Sequence, residues 1–139
     1  MSVDCFLDTN VVVYAVDTTR GVAHKRQIAR KILREGNFGV STQVLQEFYV
    51  IVTKKLKRPL SVSTAGRWID RLCQADRVTL DVSLIKQAVA HSKRYQISYW
   101  DGAIIAAAEA LDAKTVYSED LNHGQTYGSV RVENPFVGI

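Results

Sequence analysis

S-Y-W-D-G-A-I-I-A-A-A-E-A-L-D-A-K-T-V-Y-S-E-D-L-N, residues 98–122, is the stretch whose reading decides the fold. Ser98 stands where a helix N-cap belongs, and Asp101 follows at capping-box spacing, so its side chain can reach back to the cap amide. The helix that opens there is apolar nearly all round, which marks a central element and not a surface one. Thr115–Tyr117 then reads as a short strand, ended by Ser118, Glu119 and Asp120. A buried helix feeding a buried strand belongs to a β-α-β crossover, so the expectation is an α/β domain in three layers. A mainly parallel central sheet should be flanked by helices on both faces.

The rest of the chain alternates in the same way. Val3–Leu7 is an apolar run broken only by Asp4, and it fits a buried strand ending at Asp8. A helical turn over Val11–Val16 and a loop over Thr18–Gly21 lead to an amphipathic helix, His24–Arg34, stopped by Gly36. Phe38–Val40 reads as a strand. Ser41 or Thr42 caps a helix running through Val44, Leu45, Phe48, Val52 and Leu56 to the break at Pro59. A helix over Ser63–Ala75, a strand over Val78–Leu80, a helix over Leu84–Tyr95 and a last strand over Val130–Val132 complete the pattern. Such sheets place their sites beyond the carboxyl ends of the strands, where Asp8 and Asp120 fall.

At 139 residues, 47% hydrophobic and with only two prolines, the chain fits one domain over residues 1–139 with a core that needs no disulfide or metal staple. The N-terminus has no basic region followed by an apolar run, so neither secretion nor membrane insertion is expected and a cytoplasmic location is. Cys5 and Cys73 have no metal spacing and read as reduced core residues.

Four carboxylates sit where apolar elements begin or end: Asp8, Glu47, Asp101 and Asp120. Each has an ordinary explanation. Asp8 can form an Asx turn, Glu47 can be a helix-surface charge at the rim of the Val44, Phe48, Ile51 and Val52 arc, Asp101 can serve the cap, and Asp120 can be a turn residue. The joint pattern argues otherwise. If the fold gathers them, their like charges raise one another's proton affinity unless a cation neutralises them. Oxygen ligands suit Mg²⁺ or Mn²⁺, and an ion so held can activate water against a phosphate ester, leaving a 5′-phosphate and a 3′-hydroxyl. Without an ion the set should stand partly splayed or bridged by water. His24, His91 and His123 are not spaced as ligands; only His123, in the loop after Asp120, is placed to approach a substrate. Tyr99 and Trp100 can stack on an unpaired base or pack beneath the helix start.

Setting those four acids aside leaves 18 basic residues against 10 acidic ones, a surface suited to a polyanion. One cluster, Lys25, Arg26, Arg30, Lys31 and Arg34, reads as a solvated helix face. The other, Lys54, Lys55, Lys57 and Arg58, follows the helix that carries Glu47 and is the better substrate-binding rim.

In this order D-T-N (Asp8, Thr9, Asn10), the helical Glu47, Y-W-D-G-A-I-I-A-A-A with Asp101, and S-E-D-L-N-H-G with Asp120 resemble the PIN-domain ribonucleases. More narrowly, they resemble the toxins of VapBC-type toxin–antitoxin pairs. The resemblance covers nearly the whole chain. It implies a PIN-like α/β/α fold, Mg²⁺- or Mn²⁺-dependent endoribonuclease activity on RNA, homodimerisation, and inhibition by a small antitoxin. By motif match Asp8, Glu47, Asp101 and Asp120 form the catalytic and metal-binding centre, with Asn10 and Ser118 as polar supports. Glu119 is a further support that competes with Asp120 for the metal-facing place, though the two-residue spacing from Ser118 favours Asp120. The inhibitor is expected to send an arginine among the acids. The dimer is expected to use the helices between Val44 and Ala75, where Phe48, Tyr49, Val52 and Trp68 offer more bulk than one core stripe requires. Three other readings stand beside this one: a housekeeping RNA-processing nuclease, a non-catalytic RNA- or protein-binding domain, and a phosphatase with Asp8 as covalent nucleophile. The last wants an aspartate where Asn10 stands.

Overall fold

A computed structural model describes residues 3–137. Six strands form one sheet: β1 (Cys5–Leu7), β2 (Phe38–Ser41), β3 (Asp76–Val78), β4 (Thr115–Tyr117), β5 (Thr126–Tyr127) and β6 (Val130–Glu133). Their spatial order is β3-β2-β1-β4-β6-β5, parallel throughout except for the β5–β6 pair. Six α-helices connect them: α1 (Thr9–Tyr14), α2 (Ala23–Glu35), α3 (Thr42–Val50), α4 (Val62–Leu72), α5 (Val82–Tyr95) and α6 (Tyr99–Ala110). The expected mainly parallel α/β architecture is what the chain adopts.

The order of strands says where a site can lie. The connections β1→β2→β3 step outward in one direction, and β3→β4 returns past β1 to the other side. Right-handed crossovers then put α1–α4 on one face and α5 and α6 on the other. The packing agrees, with α1 against α2 and α3, α3 against α4, and α5 along α6. The reversal falls between β1 and β4, and the carboxyl ends of those two neighbours open a crevice there. They are locked in register, Leu7 opposite Tyr117, and the Asp8 N–H continues the ladder to the Tyr117 carbonyl at 3.0 Å.

The core explains the helix assignments. Phe6, Leu7, Val11, Val12, Val40, Val44 and Phe48 are fully buried, and the α6 run from Gly102 to Ala108 is buried on every side. Gly102 has a specific reason: a Cβ there would collide with the Ala88 carbonyl, so only glycine lets the first turn of α6 lie this close to α5. Among the described residues no helix is long and apolar enough to cross a membrane. Cys5 is buried in β1, Cys73 is half-buried at the end of α4, and both are free.

Several expectations need correction. The helix carrying Glu47 does not run unbroken to Leu56; α3 ends at Val50 and a π-helical turn, Ile51–Lys55, follows, closed by Leu56 N–H on the Ile51 carbonyl at 3.2 Å. The third strand lies at Asp76–Val78, two residues earlier than Val78–Leu80, because at the sheet edge charged residues serve as well as apolar ones. The hairpin partner β5 had no place in the expected strands. Phe48 and Val52 are completely buried in the chain's own core, while Tyr49 and Trp68 pack partly against it, so the first two offer nothing to a dimer.

Candidate active site

Asp8 ends β1 and caps α1, its Oδ1 accepting the Thr9 N–H at 2.7 Å. It is 5% exposed, and burial of a carboxylate demands partners. Ser118, fully buried after β4, donates its hydroxyl to Asp8 Oδ2 at 2.7 Å and accepts the Asp120 N–H at 3.0 Å. Asn10 binds the two strand ends from the other side. Its Nδ2 donates to Asp120 Oδ2 at 3.1 Å and reaches Asp8 Oδ2 at 3.5 Å, and its Oδ1 accepts the Glu119 N–H at 3.2 Å. Both residues expected as polar supports therefore join the end of β1 to the end of β4.

The other two acids arrive on helices. Glu47 sits mid-α3, where Ser41 caps the helix through the Val44 N–H at 3.2 Å. Its Oε1 accepts from Thr9 Oγ1 at 3.1 Å and Gln43 Nε2 at 3.2 Å. Asp101 stands in the first turn of α6, its N–H donating to Ser98 Oγ at 3.0 Å as the cap spacing requires. All four acids line one open cavity of about 400 Å³ at the carboxyl edge of the sheet, with Val13, Ile51, Ile104 and Trp100 as its apolar wall.

Electrostatics sets this cavity apart. Burial pushes the Asp8 carboxyl up to about 7, with Asp120 and Asp101 adding to the rise against the hydrogen bonds from Ser118 and Thr9. Burial likewise raises Asp101, with Asp120 and Glu47 adding to it against the Ser98 side chain. Among the described residues no lysine, arginine or histidine forms an ion pair with any of the four. A set of oxygen donors carrying like charges and no counter-charge fits a hard divalent cation. The four nonetheless surround a space without closing on it, since among the described residues no three acid, histidine or cysteine side chains are arranged to grip an ion as they stand.

Glu119 and Asp120, adjacent in sequence, part company. Glu119 points away from the cavity, accepting from Tyr14 Oη at 2.7 Å and pairing with Lys25 Nζ at 2.5 Å; that ammonium lies over the Tyr14 ring. Asp120 is the one that faces the other acids. His123 does not approach the cavity; its Nδ1 accepts the Asn134 N–H at 3.0 Å, holding the loop instead. Lys54, Lys55, Lys57 and Arg58 are all exposed. Lys55 borders Glu47 and Ile51 in a smaller adjoining cavity, and the other three line neither. In the first basic cluster, Arg26 and Arg30 donate to the Asp17 and Ala15 carbonyls at 2.9 and 2.7 Å, just past the end of α1, a structural use of cations at a helix C-terminus.

Three of the polar residues of the cavity, Thr9, Gln43 and Asp17, have no role assigned from sequence, Thr9 being read only as part of D-T-N. Thr9 directly follows Asp8, and Gln43 precedes Glu47 by one helical turn, the spacing at which side chains meet. Asp17, buried and accepting the Thr19 N–H at 2.9 Å, follows α1 and carried no signal of its own.

An α/β domain with an acid-lined crevice at its topological switch point is the class this geometry defines. The PIN-domain family profile matches residues 5–128, and the chain belongs to that family. Solved structures agree on the fold. The sarcin-ricin-loop-cleaving toxin VapC20 of Mycobacterium tuberculosis superposes with a TM-score of 0.67 at 16% identity, over 84% of this chain and 89% of that one. A toxin–antitoxin complex from Klebsiella pneumoniae gives 0.70 at 16% identity, over 95% and 98%. FitAB bound to a DNA fragment gives 0.59 at 20% identity, over 94% of each chain. No curated protein sequence matches the chain.

Proposed function

We propose that the chain is a Mg²⁺- or Mn²⁺-dependent endoribonuclease and the toxin of a toxin–antitoxin pair, working in the cytoplasm. The observation that carries this reading is the meeting of Asp8, Glu47, Asp101 and Asp120, from four separate segments, around one cavity that holds no counter-charge. When bound, the divalent ion supplies an activated water and positive charge at the scissile phosphate. The chain's own residues do the placing. Ser118 and the Thr9 N–H fix Asp8, Asn10 holds Asp120 beside it, and Thr9 and Gln43 aim Glu47. Lys55 at the rim draws the phosphate backbone toward an otherwise repulsive centre.

Two relatives of the same fold support the biological side: one is a toxin that cleaves the sarcin-ricin loop, the other a toxin–antitoxin complex. An inhibitor's guanidinium suits this cavity, since it can neutralise two carboxylates at once. Self-association would draw on apolar side chains left exposed on the surface, among them Val82, Ile85 and Val89 of α5. The purified chain should cleave RNA in Mg²⁺ or Mn²⁺ and stop in EDTA. Cleavage undiminished by EDTA would overturn the mechanism.

A further inference from the structure

Trp100 is the largest apolar side chain left in water beside the acids: it is 62% exposed, stands in the first turn of α6, and lines the cavity next to Asp101. Tyr99 does not share its situation, being half-buried against the cluster of Leu84, Ala88, Ala103 and Ala106. Two contacts hold Trp100 without covering it. The Tyr99 ring meets the indole edge-on, with centroids 5.0 Å apart and planes at 78°. Gln43 Nε2 donates to the Trp100 backbone carbonyl at 3.4 Å while also holding Glu47, so the backbone that carries the indole and the acid are tied to one side chain. Gln43 is itself buried.

An anchored but uncovered indole is an apolar face held ready for a flat ligand. The cavity beside it is lined both by acids and by apolar side chains, Trp100, Ile51 and Ile104 among them. A nucleotide offers both kinds of group. Its phosphate can approach the acids only with a cation, whereas its base is flat and uncharged and needs none. We infer that Trp100 is the stacking platform for an unpaired nucleobase next to the scissile phosphate. The inference rests on the nuclease reading above and states what its substrate must offer. Bases inside a duplex are already stacked on both faces and cannot use the platform.

Trp68 is the only other tryptophan, so Trp68→Phe leaves Trp100 as the sole indole reporter. Combined with Asp8→Asn, to keep the strand intact and to remove a charge that repels phosphate, this variant is titrated in Mg²⁺ with short single-stranded RNA homopolymers. Indole emission should be quenched in step with binding followed by anisotropy, and the same strands annealed to their complements should quench far less. Binding with unchanged emission, equal quenching by duplex, or no binding of single strands overturns the inference. In turnover assays Trp100→Ala should raise KM on single-stranded RNA by about 10- to 100-fold with a much smaller change in kcat, and Trp100→Phe should recover most of the loss. Wild-type KM in Trp100→Ala overturns the platform and leaves the nuclease standing. Normal quenching with no cleavage by the wild-type chain does the reverse.

Discussion

Two partly buried carboxylate clusters in this molecule are treated in opposite ways. Near the β5–β6 hairpin, Glu109 is fully compensated. His91 Nε2 lies 2.6 Å from its Oε1, and its Oε2 accepts both the N–H and the hydroxyl of Ser129 at 3.0 Å. Gly128, with φ of 58° and a Cβ position 2.5 Å from Glu109 Oε2, completes a turn that no other residue would fit as well. At the carboxyl ends of β1 and β4, Asp8 is more deeply buried and, among the described residues, receives neutral donors only, with four further acids lining the same cavity. The first cluster is finished by the fold; the second is left with charge to be neutralised from outside. A buried acid that the chain satisfies is holding structure, and one that it leaves without a counter-charge at a cavity is a candidate site.

The contrast can be broken most directly at Asp8. Asp8→Asn keeps the side chain's shape and removes one ligand charge, so circular dichroism should be unchanged while RNA turnover falls at least ~100-fold, a loss of several kcal/mol of electrostatic stabilisation. Wild-type turnover in that variant and in Asp101→Asn would place the chemistry elsewhere.

A smaller effect concerns stability and pH. Folded Asp8 holds its proton up to about 7, whereas an unfolded carboxyl releases it near 4. The folded state thus binds the additional proton across that interval. Its stabilising contribution is complete below the unfolded value and disappears as the pH rises through about 7, by on the order of a few kcal/mol. Thermal melts in EDTA should therefore drop between about pH 5 and pH 8. Mg²⁺ binds the ionised form, so its stabilising effect should grow over the same interval, and Asp8→Asn should flatten both trends. A melt in EDTA that rises with pH would contradict the burial of an uncompensated Asp8.

Glu109→Ala sharpens the other side. It strips His91 and the Ser129 N–H of their acceptor, at a cost of about 2 kcal/mol in chemical denaturation, and the fraction still folded should cleave at the wild-type rate. Loss of cleavage with folding intact would mean the two clusters are coupled.

How far the sequence could be read follows from the same physics. Asp8, Asp101 and Asp120 were legible because each sits at the end of an element, where capping and strand-end geometry fix a side chain's direction. Glu47 was legible only through its place at the rim of an apolar arc. The choice between Glu119 and Asp120 was legible only as a preference, from the two-residue spacing between Ser118 and Asp120; what draws Glu119 away is Lys25 arriving from α2, a contact that spans 94 residues. The π-helical turn at Ile51–Lys55 escaped because five residues are too few to tell a period of 3.6 from a wider one. β5 is a two-residue strand with no pattern to read, although the Gly128–Ser129 pair between Tyr127 and Val130 is a hairpin signal. Lengthwise apolarity likewise could not say that Phe48 and Val52 face inward, because a fully buried helix and a sticky one look alike.

The Ser118–Asp8 hydrogen bond closes a loop of 110 residues. Because β1 lies inside the sheet between β2 and β4, it is completed only once β4 has been made. During synthesis the first acid thus waits for Ser118 and Asp120 to leave the ribosome, and a chain interrupted before them carries an incomplete centre. The order of strands is in this sense also a timer: the acid cavity comes into being only after β4 and the turn that follows it have been made.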